Sequence, residues 1–210
     1  MGGLFGLIGI VALYAALAAG TMSIVSPVTG ALSAMLPVAW GLSSGESIAP
    51  LQWIGIAIAI TSVVMIASDR SDARLSSSVI VLSLVASLGF AAFFIALSQT
   101  SPDAGMWPLA ASRIVTVPVA FALAATMGVA SVPAGRSLKI VTVAGNGDMA
   151  ANIAILIALQ RGPLGINSVL VSLYPAVTVI AAMVVLGERP TSVQRVGIVL
   201  ALCAAVALSV

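Results

Sequence analysis

Gly162 to Val206 reads GPLGINSVLVSLYPAVTVIAAMVVLGERPTSVQRVGIVLALCAAV, and Gly20 to Val64 reads GTMSIVSPVTGALSAMLPVAWGLSSGESIAPLQWIGIAIAITSVV. The two stretches align without a gap, at the constant offset that sets Gly20 on Gly162. Gly45-Glu46 falls on Gly187-Glu188, Gln52 on Gln194, and Gly55-Ile56 on Gly197-Ile198, while Ile24 and Ser26 fall on Ile166 and Ser168. An internal repeat in a very apolar chain points to a membrane protein assembled from two homologous halves.

The apolarity is extreme. Hydrophobic residues make up 61% of the 210-residue chain and charged residues 7%, with a mean hydropathy of +1.24. A soluble domain carries roughly 25% charged residues, so the bilayer must be the main solvent. The chain has no His and one Cys. A His-based triad, a His-rich metal site and an intrachain disulfide are thereby excluded, and Cys203 reads as an inert apolar thiol. The net charge of +2 comes from residues scattered over separate loops, which does not suit nucleic acid. No nucleotide-binding motif is present and no cofactor is implied.

A membrane span needs roughly 20 mostly apolar residues. Eight can be read, at about 3–20, 23–42, 51–68, 77–98, 107–127, 139–159, 165–186 and 193–210. Backbone polar groups in lipid must be paired internally, so each span is expected to be a helix. Their apolarity runs all round instead of alternating, which excludes a β-barrel. The fold class is therefore an all-α integral membrane protein. The segment from Ser68 to Arg74 is the most charged connection and is the expected joint between a first unit at 1–70 and a second at 71–210. The second unit then holds five spans and the first only three. At the repeat offset, the first unit would start about 70 residues before Met1, so the expectation is a two-unit protein without its first two helices. An odd number of spans per unit makes the two units inverted in the membrane.

A family resemblance follows from these residues. Tyr174-Pro175, then Gly187-Glu188-Arg189-Pro190, then Gly197-Ile198 form an ordered set. The first unit repeats it as Leu36-Pro37, Gly45-Glu46, Gln52-Trp53 and Gly55-Ile56. Gly89-Phe90 to Phe94, followed by Arg113, looks like the opening of a further unit. In these features the chain resembles the EamA-like members of the drug/metabolite transporter superfamily. The resemblance implies ten helices, a plasma membrane of bacterial type, and export of small metabolites, amino acids or drugs without an enzymatic step. It also marks Pro37, Gly45, Glu46, Pro175, Gly187 and Glu188 as structural motif positions.

Asp148 is the sharpest candidate for chemistry. It ends Gly145-Asn146-Gly147-Asp148 near the middle of the sixth span, with Asn152 one turn later. A carboxylate at mid-bilayer costs about 2.5–3.5 kcal/mol on insertion scales, so it faces a cavity or a partner. Two glycines and an asparagine weaken the helix there, and broken helices mark transporter sites. The alternative is a span that starts only after Asp148, with the acid at the surface. In the first case Asp148 binds a cationic group, takes a coupling proton, or pairs with an arginine. Arg113, near the start of the fifth span, is the natural partner, at a depth differing by roughly 7 Å; the alternative is that it snorkels to the headgroups. Ser172 and Tyr174, with Asn167 and Ser168, either line the cavity or hydrogen-bond neighbouring helices. Glu46 and Glu188 sit at helix–helix turns, where a carboxylate complements the next helix N-terminus.

Two expectations about context complete the reading. The resemblance places both termini in the cytoplasm, whereas the loop arginines then fall outside, against the positive-inside bias. The leading functional expectation is alternating-access transport of a small-molecule substrate. The alternative is a non-transporting remnant or scaffold that pairs with itself as a homodimer or with a complementary membrane chain.

Overall fold

The computed structural model describes residues 1–19, 22–67, 76–128, 134–187 and 189–209. The charged joint at 68–75 and Glu188 lie outside the described residues. The described residues form nine α-helices: α1 (Gly2–Ala19), α2 (Met22–Ser43), α3 (Pro50–Ala67), α4 (Ser77–Ser98), α5 (Trp107–Thr126), α6 (Arg136–Arg161), α7 (Leu164–Ser172), α8 (Tyr174–Leu186) and α9 (Ser192–Ser209). Among them, α1, α4, α5, α6, α9 and the run from α7 into α8 are long and apolar enough to cross a bilayer; α2 and α3 contribute the shorter apolar stretches Val28–Ser43 and Pro50–Ile66. The protein is an all-α, multi-pass membrane protein.

The seventh span is not one helix. α7 stops at Ser172 and α8 starts at Tyr174. Pro175 has no N–H to give a carbonyl four residues back, and its ring crowds that carbonyl. The backbone tightens instead into i→i+3 bonds, Leu173 N–H to Leu170 O at 3.2 Å and Ala176 N–H to Leu173 O at 3.0 Å. Pro37 and Pro118 do not break their helices: α2 and α5 run on through them.

Small residues bring the helices together. Gly89 on α4 faces Gly9 on α1 so closely that a Cβ on Gly89 would stand 2.6 Å from the Gly9 nitrogen. Lipid tails offer no hydrophobic gain for helix association, so close backbone approach through glycine supplies the van der Waals contact that does. α3 and α9 pack in the same manner, and in a reciprocal way. A Cβ on Gly55 would meet Leu208 at 3.0 Å, and one on Gly197 would meet Ile66 at 2.8 Å. Gly55 and Gly197 are repeat partners, as are Ile66 and Leu208, so each repeat gives the other the same knob and the same hole. We predict that Gly197→Leu destabilises the protein by about 1–3 kcal/mol through overpacking. Gly145→Ala, where no atom lies within 4 Å, should be neutral or stabilising by up to about 1 kcal/mol through helix propensity. Thermal unfolding in detergent measures both.

The recurring Gly-Glu and Gln residues now have a structural reason. Gly45 has φ of +91° and Gly187 of +69°, a backbone region that favours glycine. Gly45 N–H bonds Leu42 O at 3.2 Å and Glu46 N–H bonds Gly41 O at 2.9 Å, the paired bonds of a Schellman stop to α2. Gln52 Oε1 accepts from Ala49 N–H at 3.0 Å, and Gln194 Oε1 from Thr191 N–H at 2.9 Å, so both glutamines cap the helix that follows. At α9 the Thr191 hydroxyl also accepts from Gln194 N–H at 3.2 Å, completing a capping box. Gln194 Nε2 then donates to Ile66 O at 3.2 Å, which fixes the start of α9 to the end of α3.

Candidate functional site

α6 is continuous from Arg136 to Arg161, and Asp148 is its thirteenth residue of 26. The expectation of a helix broken or begun at Asp148 is thus corrected. The backbone keeps its helix because the polar side chains bond within it: Asn146 Nδ2 donates to Thr142 O at 2.9 Å and Asn152 Nδ2 to Asp148 O at 2.8 Å. At its C-terminal end α6 is tied to neighbours. Gln160 Nε2 donates to Thr100 Oγ1 and to Ser101 O, each at 3.1 Å, and Leu156 and Leu159 are buried against Phe94, Leu97 and Leu109.

Arg113 on α5 pairs with Asp148 across the gap between the two helices. Its guanidinium donates to Asp148 Oδ2 at 2.7 Å, the one ion pair among the described residues. Asn152 Nδ2 donates to the other carboxylate oxygen at 3.2 Å, which orients the carboxylate towards Arg113. The side chains of Arg113 and Asp148 are 43% and 56% exposed. Only one Arg113 N–H is used in this bond, so donors remain for a ligand.

Both side chains line a cavity of about 380 Å³ between α1, α4, α5 and α6. Its polar lining is Arg113, Asp148, Asn152, Ser112 and Thr116; its apolar walls include Phe90, Phe93, Phe94, Leu109 and Ile155. Phe93 and Phe94 stack at a tilt of 46° with centroids 6.0 Å apart. The floor is formed by Gly3 and Gly6 of α1. Ser112 and Thr116 were open to sequence reading as well, since they share one face of α5 with Arg113 at helical spacing.

The remaining candidates stand elsewhere. Asn146, Ser172 and Tyr174 do not line this cavity. Ser172 is buried, and its hydroxyl donates to Val169 O at 2.7 Å. Asn167 bridges helices, donating to Ala158 O and Pro163 O at 2.9 Å each. Ser168 is buried with no hydrogen-bond partner.

Glu46 is placed differently from the sequence expectation. It does not cap α3, which follows it. It accepts from Leu164 N–H at 2.7 Å and Gly165 N–H at 3.1 Å, at the start of α7 and far along the chain. The carboxylate satisfies two free N–H groups and the positive end of that helix dipole. A side chain at Gly41 would overlap it.

Comparison with known proteins agrees with this architecture. No curated protein matches the sequence. A solved crystal structure superposes on the whole chain with a TM-score of 0.75 at 17% identity, and the match takes in 75% of that chain. The profile of the EamA-like transporter family matches residues 77–210, which run from the first residue of α4 to the end of the chain. On that match, together with its membrane-crossing helices, the chain belongs to the EamA-like transporter family.

Proposed function

We propose that this transporter moves small zwitterions with an apolar body, amino acids among them, through the cavity between α1, α4, α5 and α6. The observation that supports this is the Arg113–Asp148 pair on the cavity wall, with aromatic residues beside it. A ligand carboxylate finds free Arg113 donors, a ligand ammonium finds Asp148, and an apolar body finds Phe90, Phe93 and Phe94. The volume of about 380 Å³ is that of a small-molecule pocket. The ion pair keeps the site neutral when empty, and a zwitterion keeps it neutral when full. Binding therefore leaves no lone charge inside the membrane. Alternating access follows from two inverted units, 1–70 and 71–210, rocking about the reciprocal α3–α9 contact. Export across a bacterial plasma membrane is the direction and place the family suggests.

The test is flux in proteoliposomes. Three labelled probes of one shape are compared: phenylalanine, phenethylamine and phenylpropionate. We expect flux of the zwitterion to exceed that of either singly charged analogue by roughly tenfold, the value of one lost charged hydrogen bond. Equal flux of all three would remove the zwitterion reading. No flux of any probe, with folded protein, would favour a scaffold.

A further inference from the structure

α6 carries the most polar sequence of the membrane-crossing helices, yet only 6% of its apolar window is buried. The repeat register says what belongs against it. α1 ends at Ala19 and α6 at Arg161, the same offset that sets Gly20 on Gly162, so α1 and α6 are counterparts. On α1, a Cβ at Gly3 would stand 2.9 Å from the Ser112 backbone of α5, one at Gly6 would stand 3.4 Å from Phe93, and one at Gly9 would stand 2.9 Å from Phe90 of α4. The positions at the repeat offset on α6 are Gly145, Asp148 and Ala151. Gly145 has nothing within 4 Å of its missing Cβ, and Asp148 and Ala151 are exposed. α6 thus has a glycine where α1 uses one for helix contact, and among the described residues no helix meets it. The same face bears Asp148, 56% exposed on a membrane-crossing helix, where lipid is a poor solvent for a carboxylate.

We propose that this face of α6 takes a two-helix membrane segment that stands to α6 as α4 and α5 stand to α1, carried on the same polypeptide in the register of the first repeat. The solved relative has room for such a segment: the match takes in 75% of it, which for 210 matched residues leaves about 70 outside. The α4–α5 pair, from Ser77 to Thr126, needs 50. With the segment in place, the cavity around Arg113 and Asp148 gains its missing wall, and the ion pair is shielded from lipid. The inference rests on packing and register and stands whether or not zwitterions are the substrate.

Two measurements test it on the protein made in its own host membrane. The first is the intact mass of the polypeptide, expected to exceed 20.9 kDa by about 7 kDa. The second compares Gly145→Trp with Val143→Trp on the opposite side of α6. A covered glycine rejects tryptophan, so the monodisperse yield of Gly145→Trp should fall roughly tenfold while Val143→Trp matches wild type. No added mass, with tryptophan tolerated at both positions, would mean that lipid covers the face, and would overturn the proposal. No added mass, with disulfide-linked dimers of a Gly145→Cys, Cys203→Ala variant, would assign the face to a second copy. No added mass, with Gly145→Trp rejected and no dimer, would assign it to a different chain. Either result overturns the proposal as well.

Discussion

Arg113→Ala lowers the stability of the protein more than Asp148→Asn, and the double replacement Arg113→Ala, Asp148→Ala is more stable than Arg113→Ala alone. The reason is that the pair holds two opposite charges at 2.7 Å on membrane-crossing helices. Removing the arginine leaves a short carboxylate that reaches neither headgroups nor another cation. Removing the carboxylate's charge leaves a long cation that can snorkel. A lone acid at mid-bilayer costs about 2.5–3.5 kcal/mol on insertion scales. Both side chains are about half exposed to the cavity, and that screening brings the expected loss for Arg113→Ala to about 1–2 kcal/mol. Removing both charges removes the penalty, which is the usual behaviour of a desolvated pair. Thermal unfolding in detergent measures all three variants. Flux separates stability from function: the double variant folds, yet its zwitterion flux should fall roughly a hundredfold, because both docking groups are gone. Wild-type flux from the double variant would remove the pair from the transport site.

Glu46→Ala has the second large effect. The alanine variant leaves Leu164 and Gly165 N–H without the carboxylate that now receives them at 2.7 and 3.1 Å. Hydrogen bonds to a charged group contribute about 1.5–3 kcal/mol each. The two share one side chain, so their joint loss is expected at about 2–4 kcal/mol, less than a simple sum. At roughly 2–4 °C per kcal/mol for a chain of this size, the unfolding midpoint drops by about 5–10 °C. Glu46→Gln keeps one acceptor oxygen and should lie between wild type and alanine. Gly41→Ala should resemble Glu46→Gln or Glu46→Ala, because its methyl group displaces the carboxylate. A midpoint unchanged by Glu46→Ala would mean that water replaces the carboxylate at the start of α7.

Much of the architecture was legible in the residues because the bilayer leaves few options. An apolar run of about 20 residues in lipid must be a helix, and all eight expected spans are helical within a few residues at each end. The single departure, the break at Leu173, is a matter of backbone chemistry at Pro175; Pro37 shows that the same residue type is tolerated where α2 continues. The site was legible in part. Arg113, Asp148 and Asn152 stood out as polar groups inside apolar spans, and they meet at one cavity. Asn146, Ser172 and Tyr174 met the same criterion and do not line it. Phe90, Phe93 and Phe94 were visible as an aromatic cluster, but nothing local said that they face Asp148.

The number of helices, their residues, the repeat and the stop signals at Gly45 and Gly187 follow from the sequence, since each depends on local polarity or on a single backbone angle. The tertiary structure decided which sides of those helices meet. Rotation about a helix axis is set by contacts with distant segments, such as Gly9 on Gly89 and Gly55 on Leu208, and no local pattern encodes it. For the same reason Glu46 caps the distant α7, although α3 follows it in the chain: a carboxylate bonds whatever free N–H groups the packing brings within reach.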